Sequence, residues 1–207
     1  MDNPIGVDKK NQSILQAVTQ LAQTCDYDSV HTHHVTFLAL RLFDDLQGLH
    51  KLGQQERLWL EYASILHDIG WFEGWHGHHK TALRIILNTP LLPFDSKERL
   101  IIGSIARYHR KALPDPHQHD HFATLTHPEQ DIVRKLSACL RLADALDRTH
   151  RNRVKNFYCS ITPKNIVVQC VVEYEPPEEA KAAQTKSDLL QLVFKRKLIL
   201  EWKIVPI

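Results

Sequence analysis

An apolar run that ends in a histidine–aspartate doublet constrains this chain more than any other feature. Residues 58–66 are mostly apolar and are typical of a buried helix, and His67 and Asp68 follow them directly. A carboxylate among apolar residues is costly unless it is paired or binds a cation. Imidazole and carboxylate groups together form a ligand set for hard or borderline divalent cations. The doublet therefore predicts a metal site inside a helical core.

Further imidazole and carboxylate donors lie on other predicted helices. They are His31, His78, His79, His109 and Asp144. Asp144 has apolar neighbours, so its burial also requires a partner. A single histidine is more often a surface residue or a hydrogen-bonded core residue, and we interpret His117, His119 and His121 as solvated. The doublet and the second buried aspartate together favour a shared cation over several separate explanations.

The hydrophobic pattern predicts a mainly α-helical fold, a helical bundle with a small C-terminal α+β appendage. Amphipathic helices are predicted at 12–25, 30–47, 54–66, 78–88, 97–109 and 129–147. Strands are predicted at 154–162, 166–174 and 197–205, with a helix at 178–195 before the last strand. We therefore expect a helical metal-binding domain at 12–150 and a β-β-α-β tail at 151–207 that packs on it.

Composition excludes several classes of protein. The formal net charge of +2 and the absence of a glycine-rich phosphate loop argue against a nucleic-acid partner. No apolar run approaches the ~20 residues that span a bilayer, so no membrane partner is expected. The four cysteines form no CxxC pair, and the N-terminal residues carry no signal-peptide pattern, so we expect a reducing cytoplasm.

At these residues the chain resembles the HD superfamily of helical metal-dependent phosphohydrolases. More closely, it is similar to the C-terminal HD-type domain of the exopolyphosphatase/guanosine pentaphosphatase (Ppx/GppA) family, here freestanding. The matching stretches are 31–35 (HTHHV), 40–44 (LRLFD), 61–70 (EYASILHDIG), 77–80 (GHHK), 105–111 (IARYHRK) and 140–148 (LRLADALDR). The actin-like domain that precedes this region in exopolyphosphatases has no counterpart here, so we do not expect its polyphosphate activity.

The resemblance implies a set of metal ligands. The core ligands are His31, His67, Asp68 and Asp144, and His78 and His109 are the additional ligands of two-metal relatives. His79 competes with His78 for its role. Relatives that hydrolyse cyclic dinucleotides have a lysine where this chain has Trp71, and their Gly-Tyr-Pro motif is absent. That departure puts a cyclic dinucleotide substrate in doubt.

The chemistry expected of this site is phosphoryl transfer to water. One or two divalent ions (Mn, Fe, Ni, Zn or Mg) would activate a metal-bound hydroxide to attack phosphorus, with Asp68 bridging the pair. Positive side chains must then bind the phosphoryl oxygens. The substrate-binding candidates are Lys80, Arg107, Arg110, Lys111 and Arg148, and the catalytic candidates are Asp68, Lys80, Arg110 and Lys111.

Three functions fit these observations. The first is a metal-dependent phosphohydrolase of a phosphorylated small molecule, with a nucleotide as the favoured class. The second is a non-catalytic module that binds or senses (p)ppGpp or polyphosphate. The third is a dinuclear iron oxygenase, because inositol oxygenase-like HD proteins use similar ligands. The sequence leaves open whether the protein forms a homodimer.

Overall fold

The computed structural model describes residues 4–205, with the exposure of individual side chains described from residue 9 onward. The α-helices are α1 (Pro4–Thr24), α2 (Ser29–Asp45), α3 (Gln47–His50), α4 (Gln54–Leu66), α5 (His78–Asn88), α6 (Ser96–Arg107), α7 (Asp120–Ala123), α8 (His127–Leu146), α9 (Pro177–Lys186) and α10 (Asp188–Phe194). A 3-10 helix covers Ile69–Glu73, and the strands are β1 (Val154–Ile161), β2 (Asn165–Val172) and β3 (Lys197–Ile204). A mainly α-helical chain with a C-terminal α+β part is confirmed.

Local sequence signals set the ends of the helices that carry the candidate ligands. The carboxylate of Asp28 accepts a hydrogen bond from the His31 amide at 3.1 Å and caps α2. Gly77 has a φ of 77° and precedes α5, so His78 becomes the first residue of that helix. Helix α4 ends at Leu66 as predicted, and His67 and Asp68 continue into the 3-10 helix.

Helix α8 is the centre of the bundle. It packs against α2, α4 and α6 on the N-terminal side of the chain and against α9 and α10 on the C-terminal side. Nearly all of its last two turns are buried, including the flanks of Asp144. One continuous apolar cluster extends from Val18 in α1 to Phe194 in α10. The ligand-bearing ends of several helices are thus held by a single core.

The C-terminal strands form a three-stranded sheet in the order β1-β2-β3. Strands β1 and β2 are antiparallel, as the predicted hairpin requires, with Phe157 opposite Cys170. Strand β3 is parallel to β2 and pairs Leu200 with Val168. Alternate residues of β2 are buried, so one face of the sheet covers the helical body. Helices α9 and α10 form the crossover between the parallel strands.

Three predicted features differ from the structure. The first is helix α1, which begins at Pro4 instead of residue 12. The single helix predicted at 178–195 is divided at Ser187, because the Ser187 hydroxyl donates to the Gln184 carbonyl and Asp188 turns toward Arg141. The predicted solvated positions of His119 and His121 are wrong. Both rings are half-buried against Tyr108, with ring centroids 5.4 and 5.9 Å away, because α7 folds this loop back onto α6.

Candidate metal centre

Six side chains from separate elements converge where α4 meets the 3-10 helix. They form two groups of three, and the donor atoms within each group lie within 4.8 Å of one another. One group is His31, His67 and Asp144, and the other is Asp68, His78 and His109. These are the six residues that the resemblance implied as metal ligands. Of the neighbouring pair His78 and His79, only His78 belongs to such a group in the part of the chain that the structure describes.

Three of the histidines are oriented in the same way. His67, His78 and His109 each place Nδ1 near the backbone carbonyl oxygen three residues earlier, at 2.7, 3.0 and 2.6 Å. A carbonyl only accepts, so each Nδ1 carries the proton and donates it. In a neutral ring this assignment leaves the lone pair on Nε2. All three Nε2 atoms therefore point toward the carboxylate of Asp68 as acceptors, which is how metal-ligating imidazoles are commonly held.

Asp68 lies between the two groups and presents one oxygen to each. Its Oδ1 is 3.2 Å from Nε2 of His78 and 3.4 Å from Nε2 of His109. Its Oδ2 is 3.4 Å from Nε2 of His67 and 3.9 Å from Nε2 of His31. Neighbouring ligands of a tetrahedral ion with ~2.1 Å bonds are separated by about 3.4 Å. The three shorter spacings around Asp68 are therefore close to those expected of donors that would hold a divalent ion.

The electrostatics of the site are compatible with a bound cation. Burial lowers the pKa of His67 and of His109, and the nearby carboxylates only partly oppose it, so both rings are neutral near pH 7. Neutral Nε2 lone pairs that face a carboxylate repel it. Three atoms, Nε2 of His31, Nε2 of His67 and Oδ1 of Asp68, are buried without a hydrogen-bond partner. A divalent ion in each of the two groups would give these atoms a partner, so the residues fit the metal.

His31 is held from the opposite side by Asp147. Its Nδ1 donates to Oδ2 of Asp147 at 2.8 Å, and both side chains are fully buried. Burial lowers the pKa of His31, but the carboxylates of Asp144 and Asp147 raise it to about 9. Asp147 is therefore the residue that orients His31.

A cavity of about 590 Å³ opens beside Asp68 and Asp144. It is lined by Asp68, Trp71, His78, His109, Arg110, Asp144, Arg148, Thr149, His150, Glu178, Lys181, Ala182, Thr185 and Lys186. Arg110 and Arg148, two of the predicted substrate-binding residues, are in this lining. Nη1 of Arg110 is 3.2 Å from Nε2 of His78, and the guanidinium lies 5.1 Å from the Trp75 ring.

The other predicted cations lie away from this cavity. Lys80 is exposed on α5. The side chain of Lys111 is exposed, while its carbonyl oxygen accepts from Arg141 at 3.0 Å. Arg107 is 6% exposed and lies against Tyr108, with its guanidinium 5.7 Å from that ring. None of the three is part of the cavity wall.

Several cavity residues escaped sequence reasoning. Lys181 and Lys186 come from α9, which was predicted only as part of a packed tail. His150 stacks on His31 with ring centroids 3.6 Å apart, and its Nδ1 lies 2.9 Å from Oδ2 of Asp28. None of these residues belongs to a recognisable motif. The only signal in the sequence was their helical spacing, which places Lys181, Ala182, Thr185 and Lys186 on one face of a helix.

Comparison with known proteins places the chain. The model of the Ppx/GppA phosphatase family, domain III, matches residues 15–194. The chain belongs to the Ppx/GppA family. A curated member, the guanosine-5'-triphosphate,3'-diphosphate pyrophosphatase of Pseudoalteromonas atlantica, is 26% identical over 159 residues, which is 76% of this chain and 31% of the relative. The resemblance to Ppx/GppA is thus confirmed, and membership of the wider HD superfamily stays a prediction.

Between residues 4 and 205, no helix combines the length and the hydropathy needed to cross a bilayer.

Proposed function

We propose that this chain is a metal-dependent phosphohydrolase that acts on a phosphorylated small molecule. The observation that carries the proposal is the position of Asp68, whose two oxygens face separate pairs of histidines. A cavity with basic side chains adjoins that carboxylate, and the family is one of phosphatases. A buried cation site beside a basic cavity suits the charge of a phosphate ester.

The proposed ligands are the two groups that meet at Asp68. His31, His67 and Asp144 would hold one ion, and His78 and His109 the other, with Asp68 shared. A bound divalent cation lowers the pKa of a water molecule and polarises the phosphoryl oxygen. The N/O donor set suits Mn, Fe, Ni, Zn or Mg. Asp147 and the carbonyl oxygens behind the other histidines keep the imidazoles in the productive orientation.

Arg110 and Arg148 are the proposed phosphate-binding residues. Both line the cavity, and they lie at the ends of α6 and α8, next to the ligands His109 and Asp144. A guanidinium presents a planar fork of donors that matches two phosphoryl oxygens. Lys80, Arg107 and Lys111 have no part in this proposal, because their side chains lie outside the cavity wall.

The substrate class is proposed to be a nucleotide. The curated relative is named for an activity on a guanosine polyphosphate, but this chain spans only 31% of that protein. Trp71, which is 41% exposed, provides an aromatic surface at the cavity, and such surfaces stack on bases. The proposal follows from this surface together with the basic wall.

Elemental analysis combined with a hydrolysis assay tests the proposal. Wild-type protein should bind two equivalents of Mn or another divalent metal and release phosphate from a nucleotide panel. Asp68→Asn should lose most of the metal and at least ~100-fold in rate, because the shared carboxylate is gone. Asp131→Asn, on the exposed face of α8, is the matched control and should behave like wild type.

The same samples distinguish the alternatives. Recovery of an intact nucleotide after tight binding, with no turnover in any metal, would favour a sensing module. Oxygen consumption by the iron-loaded protein would favour an oxygenase. Wild-type protein without bound metal would contradict the proposed function directly.

A further inference from the structure

Lys186 lies at the boundary between the candidate metal centre and the cavity. It is the last residue of α9, its side chain is 20% exposed, and it lines the cavity. Its ammonium group contacts Oδ2 of Asp144. Lys186 therefore touches a proposed metal ligand while remaining open to whatever occupies the cavity.

The two oxygens of Asp144 have different neighbours. Oδ1 is 3.7 Å from Nε2 of His31 and faces the first group of ligands. Oδ2 is the oxygen that Lys186 contacts. Metal binding through Oδ1 would therefore leave the ion pair between Asp144 and Lys186 in place. The ammonium would then stay beside the ions.

The ammonium has more donors than this ion pair uses. A lysine ammonium carries three N–H groups. Among the described residues, Asp144 is the only hydrogen-bond acceptor that contacts Nζ of Lys186. Two donors therefore remain for a cavity ligand. A partly desolvated cation with free donors is a typical binding group for an anion.

Other cations reach the same cavity from different elements. Arg110 follows α6, Arg148 follows α8, and Lys181 lies on α9 five residues before Lys186. Glu178 is an acid on this wall outside the proposed ligand set, and it pairs with Arg153 at 2.7 Å. The cavity thus receives positive charge both from the helical body and, through Lys181 and Lys186, from the C-terminal part of the chain.

We propose that Lys186 is a substrate-binding residue that donates to a phosphoryl oxygen while Asp144 holds its ammonium in place. The inference rests on the proposed function for the identity of the substrate. It gives α9 a direct part in the site. The helix delivers the cation that lies closest to the proposed ligands among the basic residues of the C-terminal segment.

Inorganic phosphate is the probe for this proposal. Calorimetric titration of phosphate is carried out on the whole chain of residues 1–207, both loaded with Mn and after treatment with EDTA. Lys186→Met should weaken phosphate binding at least ~10-fold, and Lys186→Arg should recover most of the affinity because it keeps the charge and the donors. Lys203→Met, which removes an exposed lysine from β3, should bind phosphate like wild type.

Metal content separates a direct role from an indirect one. The proposal expects Lys186→Met to keep the metal equivalents of wild type and to raise KM for a phosphate ester. A parallel loss of metal and of phosphate binding would overturn it, because Lys186 would then act only by orienting Asp144. Unchanged phosphate affinity in Lys186→Met, or no phosphate binding by wild type in either form, would also overturn it.

Two further outcomes are decisive. If wild type holds no metal and Lys186→Met still weakens phosphate binding, the proposed metal centre fails and the role of Lys186 stands. If Lys186→Met does not fold, Lys186→Gln, which keeps a donor and removes the charge, is judged by the same criteria.

Discussion

The orientation of individual imidazoles gives the first prediction. His78 directs Nε2 at Asp68, whereas His79 is buried beside it, with the two rings 5.6 Å apart. Burial, with help from Arg107, lowers the pKa of His79 to about 3, so His79 is neutral and is a packing residue. We expect His78→Gln to lose one of two metal equivalents and His79→Gln to keep both, as measured by elemental analysis.

Each variant is the control for the other, because the two substituted histidines are adjacent in the chain and both are replaced by glutamine. Equal metal loss in both would contradict the geometric choice of His78. Loss in His79→Gln alone would assign the ligand to the other residue of the pair.

Gly70 gives the second prediction at this scale. A Cβ atom at this position would lie 1.9 Å from the carbonyl oxygen of His78 and 2.8 Å from the amide nitrogen of Ala82. These are backbone atoms of α5, so the helix itself would have to move. We expect Gly70→Ala to cost about 1–3 kcal/mol of unfolding free energy and to displace His78.

Chemical denaturation and metal content measure the two effects. Gly48→Ala is the matched control, because no atom lies within 4 Å of its added methyl group. A Gly70→Ala protein with wild-type stability and full metal content would contradict the close packing of α5 against the 3-10 helix.

The sequence revealed the roles of some residues of the site but not of others. The doublet and Asp144 were recognisable because charged residues in apolar runs need partners. The orientation of His31 was not, since its partner Asp147 lies 116 residues away and only the fold joins them. Lys186 was hidden for the same reason: a lysine on a polar helix is usually solvated, and only α9 packing against α8 brings it to Asp144.

At the scale of elements, the start of α8 supports the helix that carries Asp144. Thr126 and Glu129 form a capping box, and the Glu129 carboxylate also pairs with Lys97 of α6 at 2.9 Å. The Lys97 ammonium and the Thr126 amide lower the pKa of Glu129 to about 2. Because folding lowers this pKa, the Glu129 carboxylate stabilises the folded state. This stabilisation is complete above the ordinary pKa of 4.5 and is lost as pH falls through about 2.

The resulting prediction concerns acid stability. Glu129→Gln should cost about 1 kcal/mol at pH 7, and the difference from wild type should shrink between pH 4 and pH 2. Denaturant titrations across that range measure it. Glu175→Gln, in the exposed segment after β2, should show no such trend. A constant difference from pH 7 to pH 2 would contradict the assigned role of the Glu129 charge.

The bounds of a helix were predicted more accurately where its hydrophobic residues recur with a regular helical period. Helix α4 begins and ends at the predicted residues because its apolar spacing is regular. The division of 178–195 at Ser187 was missed, because it depends on Asp188 pairing with Arg141 of α8 at 2.8 Å. The short helix α7 was missed because tertiary contacts with Tyr108 stabilise it, whereas its sequence has the composition of a loop.

At the scale of the whole molecule, the question is whether the helical body and the C-terminal tail unfold together. The sequence predicted a division near residue 150. The structure connects the two parts through one apolar cluster and through buried polar contacts. Arg141, which is 4% exposed, makes two hydrogen bonds to Asp188, and Nε2 of His34 lies 2.9 Å from the carbonyl oxygen of Val154. The two parts therefore share one apolar cluster.

We accordingly expect one cooperative transition for the whole chain. Two variants that each retain one tryptophan test this expectation. Trp59 reports on α4, where its indole lies 3.3 Å from Glu98, and Trp202 reports on β3. With the remaining tryptophans replaced by phenylalanine, both probes should give the same urea midpoint within ~0.3 M. An earlier midpoint for Trp202 would mean that the tail unfolds first, and α9 would then withdraw Lys181 and Lys186 from the cavity while the six candidate ligands stayed in place.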